Sequence, residues 1–168
     1  MTELAGKTAV VSGASSGIGA ATAQALAAAG VRVAVGARRL DRLAALGEGF
    51  VALPLDLQDP ASCERFAADA VEALGGIDIL VNAAGRAVGR APFWESSDDD
   101  ERVVLETNLH GLVRMTRLFL PHVRDGGHIV NIGSLAGRRA YRSGAVYVAS
   151  KYAVRGFTYA LREDLLGR

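Results

Sequence analysis

The chain has 168 residues, half of them hydrophobic and 22% charged, with a formal net charge of +1. Such a chain can bury roughly 70% of its unfolded surface, and its composition excludes a disordered polymer or a protein held to nucleic acid by bulk positive charge. Cys63 is the single cysteine, which rules out an internal disulfide. With no leader-like pattern after Met1 and no run approaching the ~18 apolar residues of a membrane span, the expected setting is cytoplasmic, without nucleic-acid or membrane partners.

In chain order, Thr8 to Val11 reads as a buried strand, and Gly17 to Ala29 as an alanine-rich helix stopped by Gly30. Val31 to Val35 is a second strand, Leu40 to Leu46 a short helix, and Phe50 to Leu53 a third strand. Pro60 suits the first turn of a helix carrying Phe66, Ala67, Ala70, Val71 and Leu74 at helical spacing. Ile77 to Val81 is strand four. A long helix is expected from about Ser97 to Val123, strand five from Gly127 to Ile132, and a last helix from about Val146 to Leu166. Strands alternating with helices of these lengths imply right-handed βαβ crossovers, hence an α/β fold with a Rossmann-type, doubly wound parallel sheet in one domain over 1–168.

Two tempting features have structural explanations. The acidic run Asp98-Asp99-Asp100-Glu101 follows Ser96 and Ser97, as expected of a capped helix whose positive end favours carboxylates. His110, His122 and His128 show no ligand spacing, so no metal is expected.

The first strand runs into Ser12-Gly13-Ala14-Ser15-Ser16-Gly17-Ile18-Gly19 and then directly into a helix. A strand, a glycine turn and a helix N-terminus together present backbone N–H groups to a pyrophosphate. Gly13 would permit the turn, Gly17 the approach of the phosphates and Gly19 the close packing of helix on strand. At the end of strand two, an acid would bind the ribose 2′-hydroxyl of NAD, but the sequence there is Val35-Gly36-Ala37-Arg38-Arg39. Two guanidiniums in place of a carboxylate suit a 2′-phosphate and predict NADP.

Tyr147 and Lys151 lie four apart on the last helix and so share a face, and Ser134 falls just beyond strand five, where ligands bind in open α/β sheets. A free tyrosine hydroxyl is a weak base at neutral pH, and an adjacent ammonium favours its ionised form. The pair therefore predicts a tuned general acid/base.

The glycine loop, Asp56-Leu57, Asn82-Ala83-Ala84-Gly85, Asn108, Ser134, and Tyr147 with Lys151 occur in the order found in short-chain dehydrogenases/reductases, and the chain resembles that family throughout. The resemblance implies an oxidoreductase exchanging a hydride between NADP(H) and a small secondary alcohol or carbonyl substrate. It assigns Tyr147 as general acid/base, Ser134 to the substrate oxygen, Lys151 to the nicotinamide ribose and to tuning Tyr147, and Asn108 to a water in a proton relay. Cofactor contacts are implied for Gly13, Ser15, Ser16, Gly17, Ile18, Gly19, Arg38 and Arg39, for Asp56 and Leu57 near the adenine, and for Asn82 to Gly85 at the back of the site. Within the family, Asn131 to Ser134 and Tyr152 to Arg155 look most like 3-hydroxy acid and serine dehydrogenases. Family members often pair through the long helix and the Tyr147 helix, so a homo-oligomer, dimer or tetramer, is implied for the full-length form.

The sequence stops at Arg168, where family members continue into further strands, a Pro-Gly loop and a substrate lid. Two readings follow: an enzyme whose remaining strands lie outside these residues, or a noncatalytic NADP-binding or interaction fragment without its lid. For the 168 residues alone, low stability and little activity are expected, with Ile129 to Ile132 as an unpaired apolar edge.

Overall fold

The computed structural model describes residues 4–88 and 91–167; Met1 to Glu3, read above for a leader, lie outside them. Five parallel strands form one sheet in the order β3-β2-β1-β4-β5. They are β1 (Thr8–Ser12), β2 (Arg32–Ala37), β3 (Phe50–Pro54), β4 (Ile77–Asn82) and β5 (Val123–Asn131). The chain winds outward from β1 in one direction through β2 and β3, then returns to build β4 and β5 on the other side. The strand order therefore reverses between β1 and β4, and a crevice opens there at the carboxyl ends of the strands. β1 and β4 are buried along their whole length, as strands covered on both faces must be.

Helices α1 (Gly17–Ala28) and α2 (Leu40–Ala44) cover one face, packing Ala23, Leu26 and Leu43 on Val11, Val33, Val35 and Val81. On the other face, α3 (Pro60–Leu74) and α5 (Gly111–Phe119) bury Phe66, Met115 and Phe119 against Val10, Ile77 and Leu80. The rings of Phe66 and Phe119 meet edge to face, centroids 6.0 Å apart, a favoured arrangement for paired aromatics. Asp59 caps α3 by accepting from the Ala61 N–H, with Pro60 at the first helical position.

The long predicted helix is not uniform. It divides into α4 (Asp98–Leu105), a π-helical segment at Glu106–His110 and α5, then ends in a 3₁₀ turn at Leu120–His122. Ser97 caps α4 by accepting from the Asp100 N–H, and the acidic run occupies its first turn. Strand five starts at Val123 rather than Gly127, because the β4–β5 ladder contains an irregularity. Ile77 pairs with Val123 and Ile79 with His128, so Asp78 faces four residues, 124–127. The last helix, α6 (Ala145–Asp164), is tied to the sheet by Asn131, which donates to Thr158 Oγ1 at 3.0 Å.

The bulge turns Arg124 inward at the amino-terminal rim of the sheet. Its guanidinium donates to Asp78 Oδ2 (2.9 Å), Thr8 Oγ1 (2.9 Å) and the Gly75 carbonyl (3.0 Å). The Thr8 N–H (2.8 Å) and Lys7 Nζ (3.2 Å) also donate to the Asp78 carboxylate. One carboxylate thus ties together the beginnings of β1, β4 and β5. Among the described residues, no helix is long and apolar enough to cross a membrane, and no histidine, cysteine and acid cluster could hold a metal.

Candidate active site

The opposite, carboxyl rim of the sheet carries the predicted site residues. Gly13 adopts φ +75°, and a Cβ there would stand 2.5 Å from the Ala84 backbone. A side chain at Gly19 would collide with the Gly13 carbonyl oxygen. These two glycines let the loop fold against β4 and against the first turn of α1, which exposes the start of that helix to solvent. Gly17, at φ +58°, meets nothing within 4 Å and faces open space. Ser16 precedes α1 without a side-chain capping bond, so the N–H groups of the first turn remain available as donors.

A groove of about 530 Å³ runs along this loop. It is lined by Gly13, Ser15, Ser16, Gly17, Ile18 and Gly19, by Arg38 and Arg39 beyond β2, by Asp56 and Leu57, and by Ala83, Ala84 and Gly85 after β4. Arg39 donates to Ser15 Oγ at 2.8 Å and to Ser16 Oγ at 3.0 Å, which fixes one guanidinium over the loop. Arg38 lines the groove with no hydrogen-bond or ion-pair partner among the described residues. The Asp56 carboxylate accepts from the Gln58 N–H at 3.0 Å, closing a turn that holds Asp56 and Leu57 at the groove wall.

Asn82 belongs to the expected cofactor segment but does not line this groove. Its amide points into the seam between sheet and helices, donating to Thr116 Oγ1 (3.1 Å) and Asn131 Oδ1 (2.9 Å). Together with the Asn131–Thr158 bond, this forms a polar ladder from α5 through β4 and β5 to α6.

Asn108 lies inside the π-helical segment and is 1% exposed. Its side chain accepts from the Arg86 N–H at 2.6 Å and donates to the Arg86 carbonyl at 2.9 Å and to Ser150 Oγ at 3.1 Å. Ser150, fully buried, donates in turn to the Tyr147 carbonyl at 2.7 Å. Asn108 thereby joins the loop after β4 to the turn of α6 that carries Tyr147 and Lys151.

Lys151 is 5% exposed, and its burial among neutral groups pushes the ammonium below its usual pKa. Its Nζ donates to the Ile132 carbonyl at 2.9 Å and lies 6.0 Å from the centre of the Tyr147 ring. A Cβ at Gly85 would be 3.5 Å from this Nζ and 3.6 Å from Asn108 Oδ1, so the three residues converge at the end of the groove. Ser134 Oγ accepts from the Ala136 N–H at 3.1 Å, starting a 3₁₀ turn at Leu135–Gly137. Ser134 and Tyr147 line a second hollow of about 580 Å³, shared with Leu135, Ala136, Arg139, Ala140 and Tyr141.

A family model described as short chain dehydrogenase matches residues 7–168. The chain belongs to the short-chain dehydrogenase family. It is 40% identical over 164 residues to an NADP-dependent 3-hydroxy acid dehydrogenase of Salmonella typhi, covering 94% of this chain and 66% of that protein. Among solved structures it is similar to serine dehydrogenase from Escherichia coli (TM-score 0.89, 39% identity), covering 95% of this chain and 77% of that one. It is also similar to a short chain dehydrogenase from Burkholderia cenocepacia J2315 in complex with NADP (TM-score 0.93, 34% identity), covering 98% and 71% of the two chains. The chain thus spans about two thirds of the length of the Salmonella protein.

For this short-chain dehydrogenase chain, several structurally important residues escape a sequence reading. Ser150, Thr116 and Thr158 are common residue types in helices, and nothing in their spacing shows that they join Asn108 or Asn82. Gly36 offers a clearer signal, being a glycine inside an otherwise β-branched strand. A Cβ there would meet the Phe66 ring at 2.6 Å.

Proposed function

We propose that this chain binds NADP(H) and exchanges a hydride with a secondary alcohol/carbonyl pair, with Tyr147 as the general acid/base. The observation that carries this reading is the convergence of Lys151, Gly85 and Asn108 where the glycine-lined groove ends, with Tyr147 one helical turn from Lys151. On this reading residues 1–168 act as a single NADP-binding unit.

The residues present suit that cofactor. The loop leaves a cradle at the start of α1, where backbone N–H groups and the positive helix end favour phosphates. Arg38 and Arg39 stand beyond β2, and no carboxylate immediately follows that strand to repel a 2′-phosphate. Arg39, already held by Ser15 and Ser16, spans the loop, while Arg38 keeps its donors free. Lys151 would hold the nicotinamide ribose, and Asp56 with Leu57 would border the adenine. Bound NADP(H) supplies or accepts the hydride.

The chain's own residues handle the proton. The Tyr147 hydroxyl donates to the substrate oxygen in reduction and accepts from it in oxidation. Ser134, lining the same hollow, hydrogen-bonds that oxygen and orients it. Lys151, its Nζ 6.0 Å from the centre of the Tyr147 ring, keeps a cation beside the proton-transferring residue. Asn108 holds the Arg86 backbone and Ser150 together, fixing the spacing between the groove end and α6.

Two measurements test this. Fluorescence titration should show NADPH binding at least tenfold tighter than NADH, with Arg38→Ala removing most of the difference; equal affinities in the wild type would overturn the cofactor assignment. Tyr147→Phe should lower NADPH-dependent carbonyl reduction by about 10²–10⁴-fold while leaving NADPH affinity nearly unchanged. A variant keeping more than about a tenth of the turnover would remove Tyr147 from the proton step. Tight NADPH binding with no turnover of any carbonyl would instead favour a noncatalytic binding module.

A further inference from the structure

The turn that follows β3 and carries Asp56 and Leu57 is held from two sides. Its near supports come from the start of α3. The Asp56 N–H donates to Ser62 Oγ at 3.0 Å, and the Asp56 carbonyl accepts from the Asp59 N–H at 3.2 Å and the Cys63 thiol at 3.5 Å. Together with the Gln58 N–H on the Asp56 carboxylate, these bonds fix the shape of the turn. All of them join residues at most seven positions apart, so none sets where the turn stands against the rest of the groove.

The far support comes from α5. Half-buried Arg114 donates from Nη1 to the Leu57 carbonyl at 2.9 Å, across 57 positions of sequence. Among the described residues, it is the one hydrogen bond tying residues 56–58 to a distant part of the chain. Arg114 forms no ion pair with any described carboxylate, although Asp56 and Asp59 both act on the Cys63 thiol that Arg114 also touches. Three residues earlier α5 begins at Gly111, where a Cβ would stand 2.7 Å from Leu57 Cβ. The missing side chain lets α5 close on Leu57 and brings the guanidinium to the carbonyl. The preceding residue, His110, ends the π-helical segment that holds Asn108. Asn108 thus fixes the end of the groove and Arg114 its Asp56 wall, from neighbouring turns of one helical stretch.

We propose that Arg114 is a positioning residue for the adenosine half of the cofactor: by holding the Leu57 carbonyl, it sets the Asp56 carboxylate where the groove receives that half. The inference rests on the NADP(H) reading for what fills the groove. One carboxylate oxygen of Asp56 accepts from the Gln58 N–H, and the other has no partner among the described residues, which leaves it for a donor on the bound nucleotide. Tilting the turn about its α3 supports would move that oxygen while keeping every local bond. Arg114 and the Gly111 contact oppose the tilt.

The test is a double-mutant cycle on the affinity for adenosine 2′,5′-bisphosphate, which carries the adenine and the 2′-phosphate of NADP but no nicotinamide, read by calorimetry. Arg114→Met keeps the aliphatic stem, removes the donors and should weaken binding about fivefold. Arg114→Lys can still donate to the carbonyl and should stay within about twofold of wild type. Asp56→Ala should weaken binding about tenfold. Because Arg114 acts through Asp56, the double variant should bind no more than about twofold weaker than Asp56→Ala alone. A merely structural role would instead multiply the two losses. Arg114→Met and Arg38→Ala act at separate contacts, and their losses should multiply. Should Arg114→Met fail to fold, Arg114→Gln, whose shorter amide falls short of the carbonyl, takes its place in the cycle. Undiminished affinity in Arg114→Met would overturn the proposal, as would multiplied losses with Asp56→Ala or an Asp56→Ala variant that binds like wild type. Each of these leaves the NADP(H) reading standing. A wild type that binds neither the bisphosphate nor NADPH would remove that reading and this inference with it.

Discussion

Replacing Asp78 by alanine would test whether one carboxylate holds the amino-terminal rim of the sheet. The Asp78 side chain is 12% exposed and receives hydrogen bonds from the Thr8 N–H, the Thr8 hydroxyl, Lys7 and Arg124. Not all of these losses cost the same. The Thr8 hydroxyl can fall back on the Gly76 carbonyl at 2.7 Å, and Arg124 keeps the Gly75 carbonyl. Lys7 is half exposed and rehydrates, so its pair contributes little. The buried Thr8 N–H loses its acceptor at 2.8 Å and costs about 1–3 kcal/mol if left orphaned. With partial loss at Arg124, the total is about 3 kcal/mol, at the lower end of the 3–5 kcal/mol that breaking a fully buried pair costs. In a chain of this size that lowers the melting temperature by about 6–12 °C, measured by circular dichroism. Burial alone would raise the Asp78 pKa, but bonds from Thr8 and Lys7 outweigh it and hold the carboxyl below its ordinary 3.8. The folded pKa being the lower one, the stabilisation is complete above the unfolded value and is lost as pH falls through the folded one. Asp78→Ala should flatten the wild-type acid limb below about pH 4. A variant melting within about 2 °C of wild type, with an unchanged acid limb, would refute the clamp.

Two further outcomes follow from the site. Gly19→Ala should destabilise the chain by about 1–3 kcal/mol and weaken NADPH binding more than tenfold, since its Cβ runs into the Gly13 carbonyl and must displace the loop; thermal melts and fluorescence titration read the two effects. Lys151→Met should raise the melting temperature by about 2–4 °C while weakening NADPH binding, because it removes a buried charge at the expense of a site residue. The Lys151 pKa lies below its ordinary 10.5 through burial, so the unfolded chain binds the extra proton between the two values. Wild-type stability should rise across that alkaline window, and Lys151→Met should not share the rise.

Much of the architecture is legible because hydrophobic runs and glycine turns act locally. The strand cores, the alanine-rich α1 and the Pro60 start of α3 all depend on residues within a turn or two of one another. The glycine loop is equally readable, since Gly13 and Gly19 meet the demands of a tight turn packed on neighbouring backbone. Boundaries set by distant partners are not. Nothing within Arg124-Asp125-Gly126-Gly127 announces that Arg124 is drawn inward by Asp78, 46 positions away, and for that reason β5 begins four residues before its apolar run suggests. The break in the long helix is hidden too, because Glu106 to His110 has ordinary helical composition and Asn108 is held by the Arg86 backbone, 22 positions earlier. In the site itself, residue types mark Tyr147, Lys151 and Ser134, whereas Ser150 acquires meaning only once α6 brings it against Asn108.

The π-helical turn at Glu106–His110 also makes the length of this stretch inflexible. A π turn holds one more residue than the α turn it replaces, and each α-helical residue advances about 100° around the axis. Deleting one residue between Glu106 and His110 would let the stretch anneal into continuous α-helix. Because the π turn already absorbs its extra residue, α4 and α5 would stay in phase and Val104 would remain in the core, but the widened turn that brings Asn108 to the Arg86 backbone would be lost. Inserting a second residue without a second π turn would instead rotate the two halves about 100° out of phase. The surplus residue thus serves to place one buried side chain and leaves the helical register on either side untouched.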